Sequence, residues 1–213
     1  MSFFENTRKP VGFSGKIMVA MMNFGHSAMA AWGLHFLQPA PDAMVLDCGC
    51  GGGANIKTLL KLCPKGKVQG IDYSAVSVEK ARKVNAGAIA AGQCTVQQAS
   101  VAELPFEAEQ FDVVTAFETV YFWPELAQNF REVYRVLKDD GVLIAPTFTH
   151  AENSFPGKVK AFFMNLAGFP LHSKWTSEEY LKFLQQNDWT VRKSVVLKAS
   201  FPLTYTECVK SEV

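Results

Sequence analysis

The sequence contains no uninterrupted apolar run long enough to cross a bilayer, and its first residues lack the layout of a signal peptide, so a soluble, cytoplasmic protein without stable membrane insertion is expected. It also lacks an excess of either charge: 21 Lys and Arg stand against 20 Asp and Glu, a formal net charge of +1. That balance argues against a chain built as a whole to grip nucleic acid. Cysteine is sparse and unpatterned. Cys48, Cys50, Cys63, Cys94 and Cys208 are scattered without a C-x-x-C unit, which indicates neither a disulfide framework nor a metal site. No internal repeat or low-complexity tract is present.

What is present is an ordinary hydrophobic fraction of 48% in 213 residues, enough for one full α/β domain with an added cap. Residues 14–37 are rich in Met, Ala and aromatics at helical spacing, and Pro39 and Pro41 end that segment. From there strands and helices alternate. Residues 44–46, 68–71, 95–99, 111–117 and 142–148 read as strands, and 56–62, 77–91 and 126–137 as helices. Glu79 is placed to pair with Lys83 one helical turn later. Such alternation implies right-handed βαβ units and a parallel sheet. After a capping insertion at 156–169 and a helix at 177–186, residues 190–197 and 203–209 read as two strands too close together for a crossover helix. The expected single domain therefore divides into a helical cap (1–40), a core (41–148), and an insertion with a terminal β-hairpin (149–213).

The chemistry concentrates in one turn, Asp47-Cys48-Gly49-Cys50-Gly51-Gly52-Gly53, between the first strand and the first core helix. Glycines there permit unusual backbone angles and close approach of a ligand, and the helix N-terminus offers free N–H donors. Gly49-x-Gly51-x-x-Ala54 satisfies a relaxed dinucleotide fingerprint, so an NAD(P)-dependent oxidoreductase is one owner of the turn. Asp47, two residues before the first glycine, suits a pyrophosphate poorly because two anions would share the site. It suits a ligand that carries an ammonium group. Asp72 ends the second strand, where a carboxylate accepts from two ribose hydroxyls in either reading.

Val45-Leu46-Asp47-Cys48-Gly49-Cys50-Gly51-Gly52-Gly53 resembles the first motif of class I S-adenosylmethionine-dependent methyltransferases, and Gln69-Gly70-Ile71-Asp72-Tyr73-Ser74 resembles the second. Leu104-Pro105-Phe106, followed by Phe111-Asp112-Val113-Val114, is similar to the adenine-side loop and fourth strand of the ubiquinone/menaquinone-biosynthesis-like subgroup. Arg131-Glu132-Val133-Tyr134-Arg135-Val136-Leu137-Lys138 with Gly141 resembles the helix and turn entering the fifth strand. Two departures stand out: Ser100 replaces an acidic residue four positions before Leu104, and Asp139-Asp140-Gly141 replaces Pro-Gly-Gly.

The resemblance implies a Rossmann-like, doubly wound, mostly parallel seven-stranded sheet with an antiparallel C-terminal strand. It implies S-adenosylmethionine as cofactor, S-adenosylhomocysteine as product and a small-molecule methyl acceptor. Asp47, Cys48, Gly49, Gly51 and Gly53 would then hold the methionine end, Asp72 the ribose, Tyr73 the side of the adenosine, and Ser100 with Val101 the adenine. Glu118 follows the fourth strand at the carboxyl edge, where ligands bind in such sheets; it is either a site residue or a capping carboxylate. Tyr121, Phe122 and Trp123 occupy the next loop, as acceptor contacts or as core packing. Tyr121 and His26 are the catalytic candidates. His26 is the first candidate for a base because its ordinary pKa suits neutral pH, against the plainer reading of a structural helix histidine. His150, Asn23 and Trp32 could border the same pocket, while His35 and His172 carry no argument beyond residue type. The Met-rich cap reads as core, substrate lid, or a partner- or membrane-facing surface. A non-catalytic S-adenosylmethionine-binding module is the remaining alternative, and the oligomeric state is open.

Overall fold

The strands carry buried apolar residues on both faces, which requires helices over both faces of the sheet, and that is how the chain folds. The computed structural model describes residues 27–149, 175–197 and 203–211. Helix α1 (Ser27–Leu34) precedes strand β1 (Met44–Cys48), and α2 (Ala54–Leu62) leads to β2 (Lys67–Asp72). Helices α3 (Ala75–Val84) and α4 (Ala86–Ala90) lead to β3 (Cys94–Gln98) and then β4 (Phe111–Thr115). A 3-10 turn (Val120–Phe122) and α5 (Leu126–Val136) connect to β5 (Leu137–Ile144) and β6 (Thr147–Phe148). Helix α6 (Ser177–Gln186) precedes β7 (Trp189–Leu197) and β8 (Leu203–Lys210).

The sheet runs β3-β2-β1-β4-β5-β8, with β7 on the far side of β8. β1, β2, β3, β4 and β5 pair in parallel, and β8 is antiparallel to β5, β6 and β7. β6 continues β5 along the same side of β8, so the eight strands fill seven positions. This is the expected mostly parallel sheet with a reversed final strand, and β7 with β8 forms the expected hairpin. Side chains alternate between two buried clusters. Val45, Val68, Val96 and Val113 pack with α1, α2 and α3 residues such as Leu34, Ile56 and Ala81. Leu46, Val114 and Leu143 pack on the opposite face with Phe130, Val133 and Leu184 of α5 and α6.

Two elements differ from the sequence expectation. The helix read over 77–91 divides at Asn85, whose buried side-chain Nδ2 donates to the Ala81 carbonyl and to Gly53 outside the helix. The strand read over 142–148 is interrupted at Ala145-Pro146, since proline has no N–H for the ladder, and it begins earlier, at Leu137. Of the segment read over 14–37, only the part from residue 27 lies within the described residues; the capping insertion at 156–169 lies outside them.

α1 is held against the carboxyl edge of the sheet. A Cβ on Gly33 would lie 2.7 Å from the Phe117 ring and 3.5 Å from Pro146, residues that follow β4 and β5. Glycine is what permits that approach.

Candidate functional site

Parallel register brings three strand ends together at one edge. Asp47 lies opposite Gly70 of β2 on one side and Thr115 of β4 on the other. The glycine turn then folds over the end of β2: Gly49 and Cys50 N–H both donate to the Ile71 carbonyl, at 2.8 and 2.9 Å. Gly51 N–H donates to Asp72 Oδ2 at 2.9 Å, and Ser74 N–H to Asp72 Oδ1 at 2.8 Å. Asp72 therefore ties the turn to the exit of its own strand. Each of its oxygens retains acceptor capacity for a further donor.

The three motif glycines share a left-handed backbone, with φ of 75°, 52° and 78° at Gly49, Gly51 and Gly53. Their surroundings differ. A Cβ on Gly49 would meet Thr119 at 2.4 Å, and one on Gly53 would meet Asn85 at 2.5 Å. One on Gly51 would meet nothing within 4 Å. Gly49 and Gly53 are thus required by packing inside the protein, whereas Gly51 borders open space.

Asp47 is 1% exposed. Thr115 Oγ1 donates to its Oδ1 at 2.8 Å, while Oδ2 is buried with no hydrogen-bond partner and no described Lys, Arg or His pairs with it. Burial raises the Asp47 carboxyl to about 7, opposed by the Thr115 hydrogen bond and reinforced by the nearby Asp72 charge. Burial also raises Asp72, against the two backbone N–H groups that it accepts. A buried carboxylate without a cation of its own is costly unless a ligand supplies the charge. The arrangement fits a ligand with an ammonium group and a ribose, and it opposes an anionic pyrophosphate.

Around this centre, Tyr73 is 51% exposed, the largest exposure among the described big apolar side chains. Its carbonyl accepts from Gln98 Nε2 at 3.1 Å, and Ala99 N–H reaches the Asp72 carbonyl at 3.2 Å. The loop carrying Ser100 and Val101 is thereby drawn beside the exit of β2. Ser100 Oγ accepts from Ala102 N–H at 3.2 Å, and Val101 packs partly into the core. Beyond β4, Glu118 is buried with a left-handed φ of 55°, and its N–H donates to the Pro146 carbonyl at 3.0 Å. Burial raises its carboxyl to about 8. Tyr121 is buried with its ring centroid 4.5 Å from that of Phe122, and burial together with Glu118 pushes its hydroxyl well above the ordinary value. Cys48 and Cys50 are buried thiols whose pKa burial likewise raises, which keeps them neutral.

Asp47, Cys48, Gly49, Gly51, Gly53 and Asp72 are brought into one contiguous turn-and-strand edge, with Tyr73, Ser100 and Val101 on its β3 side and Glu118 and Tyr121 following β4. Trp123 is buried against Phe130 at 5.2 Å, in the core. Trp32 packs edge-on to Phe36 and Tyr205, and His35 is exposed at the end of α1. His26, Asn23, His150 and His172 lie outside the described residues. Among the described residues no group of three metal-ligating side chains occurs, and no helix is long and apolar enough to cross a membrane.

Sequence reading missed Thr115, Asn85 and the pair Glu132–Arg135. Thr115 had a signal, being the polar residue that follows the apolar pair Val113-Val114 at the end of the strand. Arg135 donates to the carbonyls of Leu104 and Phe106 at 3.0 and 2.8 Å, and Glu132 accepts from Leu104 N–H at 2.9 Å. One ion pair thus holds the loop that descends from Ser100.

The segment containing the whole of this edge, residues 46–145, matches the family model described as a methyltransferase domain. That match and the ordered motifs mark residues 46–145 as a methyltransferase domain of the class I S-adenosylmethionine-dependent type. The chain is 33% identical over 114 residues to a malonyl-[acyl-carrier protein] O-methyltransferase of Legionella pneumophila, covering 54% of the chain and 39% of that relative. It is 35% identical over 143 residues to an uncharacterized methyltransferase of Bacillus subtilis, covering 64% of the chain and 58% of the relative. The chain thus matches less than two thirds of the length of either curated relative. Its fold is similar to that of a putative methyltransferase solved in complex with the Haloferax volcanii Trm112 methyltransferase activator, with a TM-score of 0.76, 18% identity, and coverage of 91% of this chain and 94% of the other.

Proposed function

We propose that this protein transfers a methyl group from S-adenosylmethionine to a small-molecule acceptor. The observation that carries the reading is the bare, buried oxygen of Asp47 at the end of β1, a carboxylate in need of a cation, set in a methyltransferase domain. In this reading Asp47 and the turn at Cys48, Gly49, Gly51 and Gly53 hold the methionine end. Asp72 accepts from the ribose hydroxyls, Tyr73 lies along the adenosine, and Ser100 with Val101 borders the adenine.

When bound, the cofactor would supply an electrophilic methyl whose bond to the sulfonium sulfur breaks as the acceptor attacks in line, with S-adenosylhomocysteine as the leaving group. The chain's own work is to align the two and to exclude water. The acceptor site lies above the carboxyl edge, between the cap that includes α1 and the residues after β4. Glu118, held in a left-handed conformation with a carboxyl near neutrality, and Tyr121 border it, and His26 is the candidate base for an acceptor that must lose a proton. An acceptor other than nucleic acid accords with the balanced charge of the sequence, and a cytoplasmic location is part of the same reading.

Calorimetric titration with S-adenosylmethionine and, separately, with NADH tests the assignment. Binding of the sulfonium alone is expected and opens an acceptor screen. Binding of NADH alone transfers the turn to a dehydrogenase. Sulfonium binding with no turnover of any acceptor moves the protein to a non-catalytic binding module.

A further inference from the structure

Thr115 ends β4 at the register position opposite Asp47, in a strand whose other buried residues are Phe111, Val113 and Val114. Its side chain is fully buried. Its Oγ1 lies 2.8 Å from Asp47 Oδ1 and 3.4 Å from the Leu46 carbonyl. A hydroxyl has one proton to give, and the shorter contact to a charged acceptor is the stronger one. A hydroxyl in an apolar strand end is costly unless it is used, and here it is used on the carboxylate whose second oxygen is bare.

We propose that Thr115 is a positioning residue for the cofactor: its hydroxyl fixes the Asp47 carboxylate and leaves one oxygen for the ammonium group. This rests on the assignment of Asp47 to the methionine end. The titratable groups acting on Asp47 are Asp72 at the end of β2 and the thiols of Cys48, Cys50 and Cys94 from β1, the turn and β3. Burial keeps the thiols neutral, so Asp72 is the charge among them, and it has the same sign. With no cation beside it among the described residues, the Thr115 bond is what favours ionisation of Asp47 before the ligand arrives. A cationic ligand then favours the ionised form further, so binding expels a proton wherever Asp47 is still protonated.

The test is calorimetric binding of S-adenosylhomocysteine to the wild type, Thr115→Val and Thr115→Ser, between about pH 5.5 and 8. Valine keeps the shape and removes the donor. Wild-type affinity should rise with pH towards a plateau near the Asp47 value of about 7. Thr115→Val should bind on the order of ten- to a hundredfold more weakly at neutral pH, with its rise displaced to higher pH, and Thr115→Ser should restore both. An unchanged profile in Thr115→Val overturns the proposal, as does a uniform weakening at every pH that serine fails to repair. Should Thr115→Val not fold, the protons released on binding to wild type and Thr115→Ser, read from buffers of different ionisation heat, decide the matter. Release from both near pH 6 supports the proposal, and none from the wild type overturns it. Failure of the wild type to bind S-adenosylhomocysteine at any pH is a different result, because it overturns the cofactor assignment itself.

Discussion

The side-chain amide of Asn85 donates to the carbonyl of Gly53 at 3.0 Å, joining the end of α3 to the glycine turn across 32 residues. The same nitrogen reaches the Ala81 carbonyl at 2.9 Å, and a Cβ on Gly53 would collide with it. The last motif glycine and the buried asparagine are therefore matched parts. Replacing Asn85 by Ala removes both bonds that its side-chain nitrogen makes, to the Gly53 and Ala81 carbonyls, at a cost of about 1–3 kcal/mol. Urea denaturation of Asn85→Ala should show that loss, and titration with S-adenosylhomocysteine should show weaker binding because the turn is no longer braced.

Gly51 is expected to behave in the opposite way. Its φ of 52° costs an alanine about 1–2 kcal/mol, but nothing stands where the new Cβ would go. Gly51→Ala should fold with only that modest loss and should bind the cofactor at least about tenfold more weakly, since the methyl occupies the ligand's approach. Gly49→Ala, which drives a Cβ into Thr119, should lose much more stability. Parallel melting and binding measurements separate the two glycines; equal stability losses would contradict the distinction.

Asp47 links stability to pH. Its carboxyl stands at about 7 in the folded protein against an ordinary value of 3.8. The folded state therefore holds the proton more tightly than the unfolded chain. The stability that this provides is fully present below about pH 4 and is lost as pH rises through the folded value, by an amount on the order of 4 kcal/mol. Asp47→Asn removes the charge, so the ligand-free variant should melt above the wild type at pH 8 and close to it near pH 4. Its affinity for S-adenosylhomocysteine should fall. Melting curves across this range check the sign, and a variant less stable than wild type at pH 8 would contradict it.

Arg135 is the remaining test of architecture. Its ion pair with Glu132 is partly exposed, so the charge interaction by itself is worth little. Its value lies in the bonds to the Leu104 and Phe106 carbonyls. Arg135→Met should cost about 1–3 kcal/mol and speed hydrogen exchange at the Leu104 amide, while exchange in β1 stays slow.

The path from sequence to site was legible where the signal is local. Apolar runs, turn residues and helical composition indicate the strands and helices, and the helix expected over 177–186 has those bounds in the structure, where Thr176 and Glu179 form its capping box. The two breaks, at Asn85 and Pro146, were passed over although both residues were visible. The proline is a breaker by its chemistry, but the asparagine breaks the helix only because Gly53 stands within its reach.

The sequence by itself determined the alternating βαβ order, the glycine turn and the two carboxylates that end β1 and β2, because each depends on neighbours a few positions away. Tertiary structure alone decided which side chains complete them. Thr115 meets Asp47 across 68 residues and Arg135 meets Leu104 across 31, contacts created by strand register and by the packing of α5 on the sheet. It also decided that Gly49 and Gly53 serve packing while Gly51 borders open space, since identical residues in one turn differ only in what the rest of the chain brings against them.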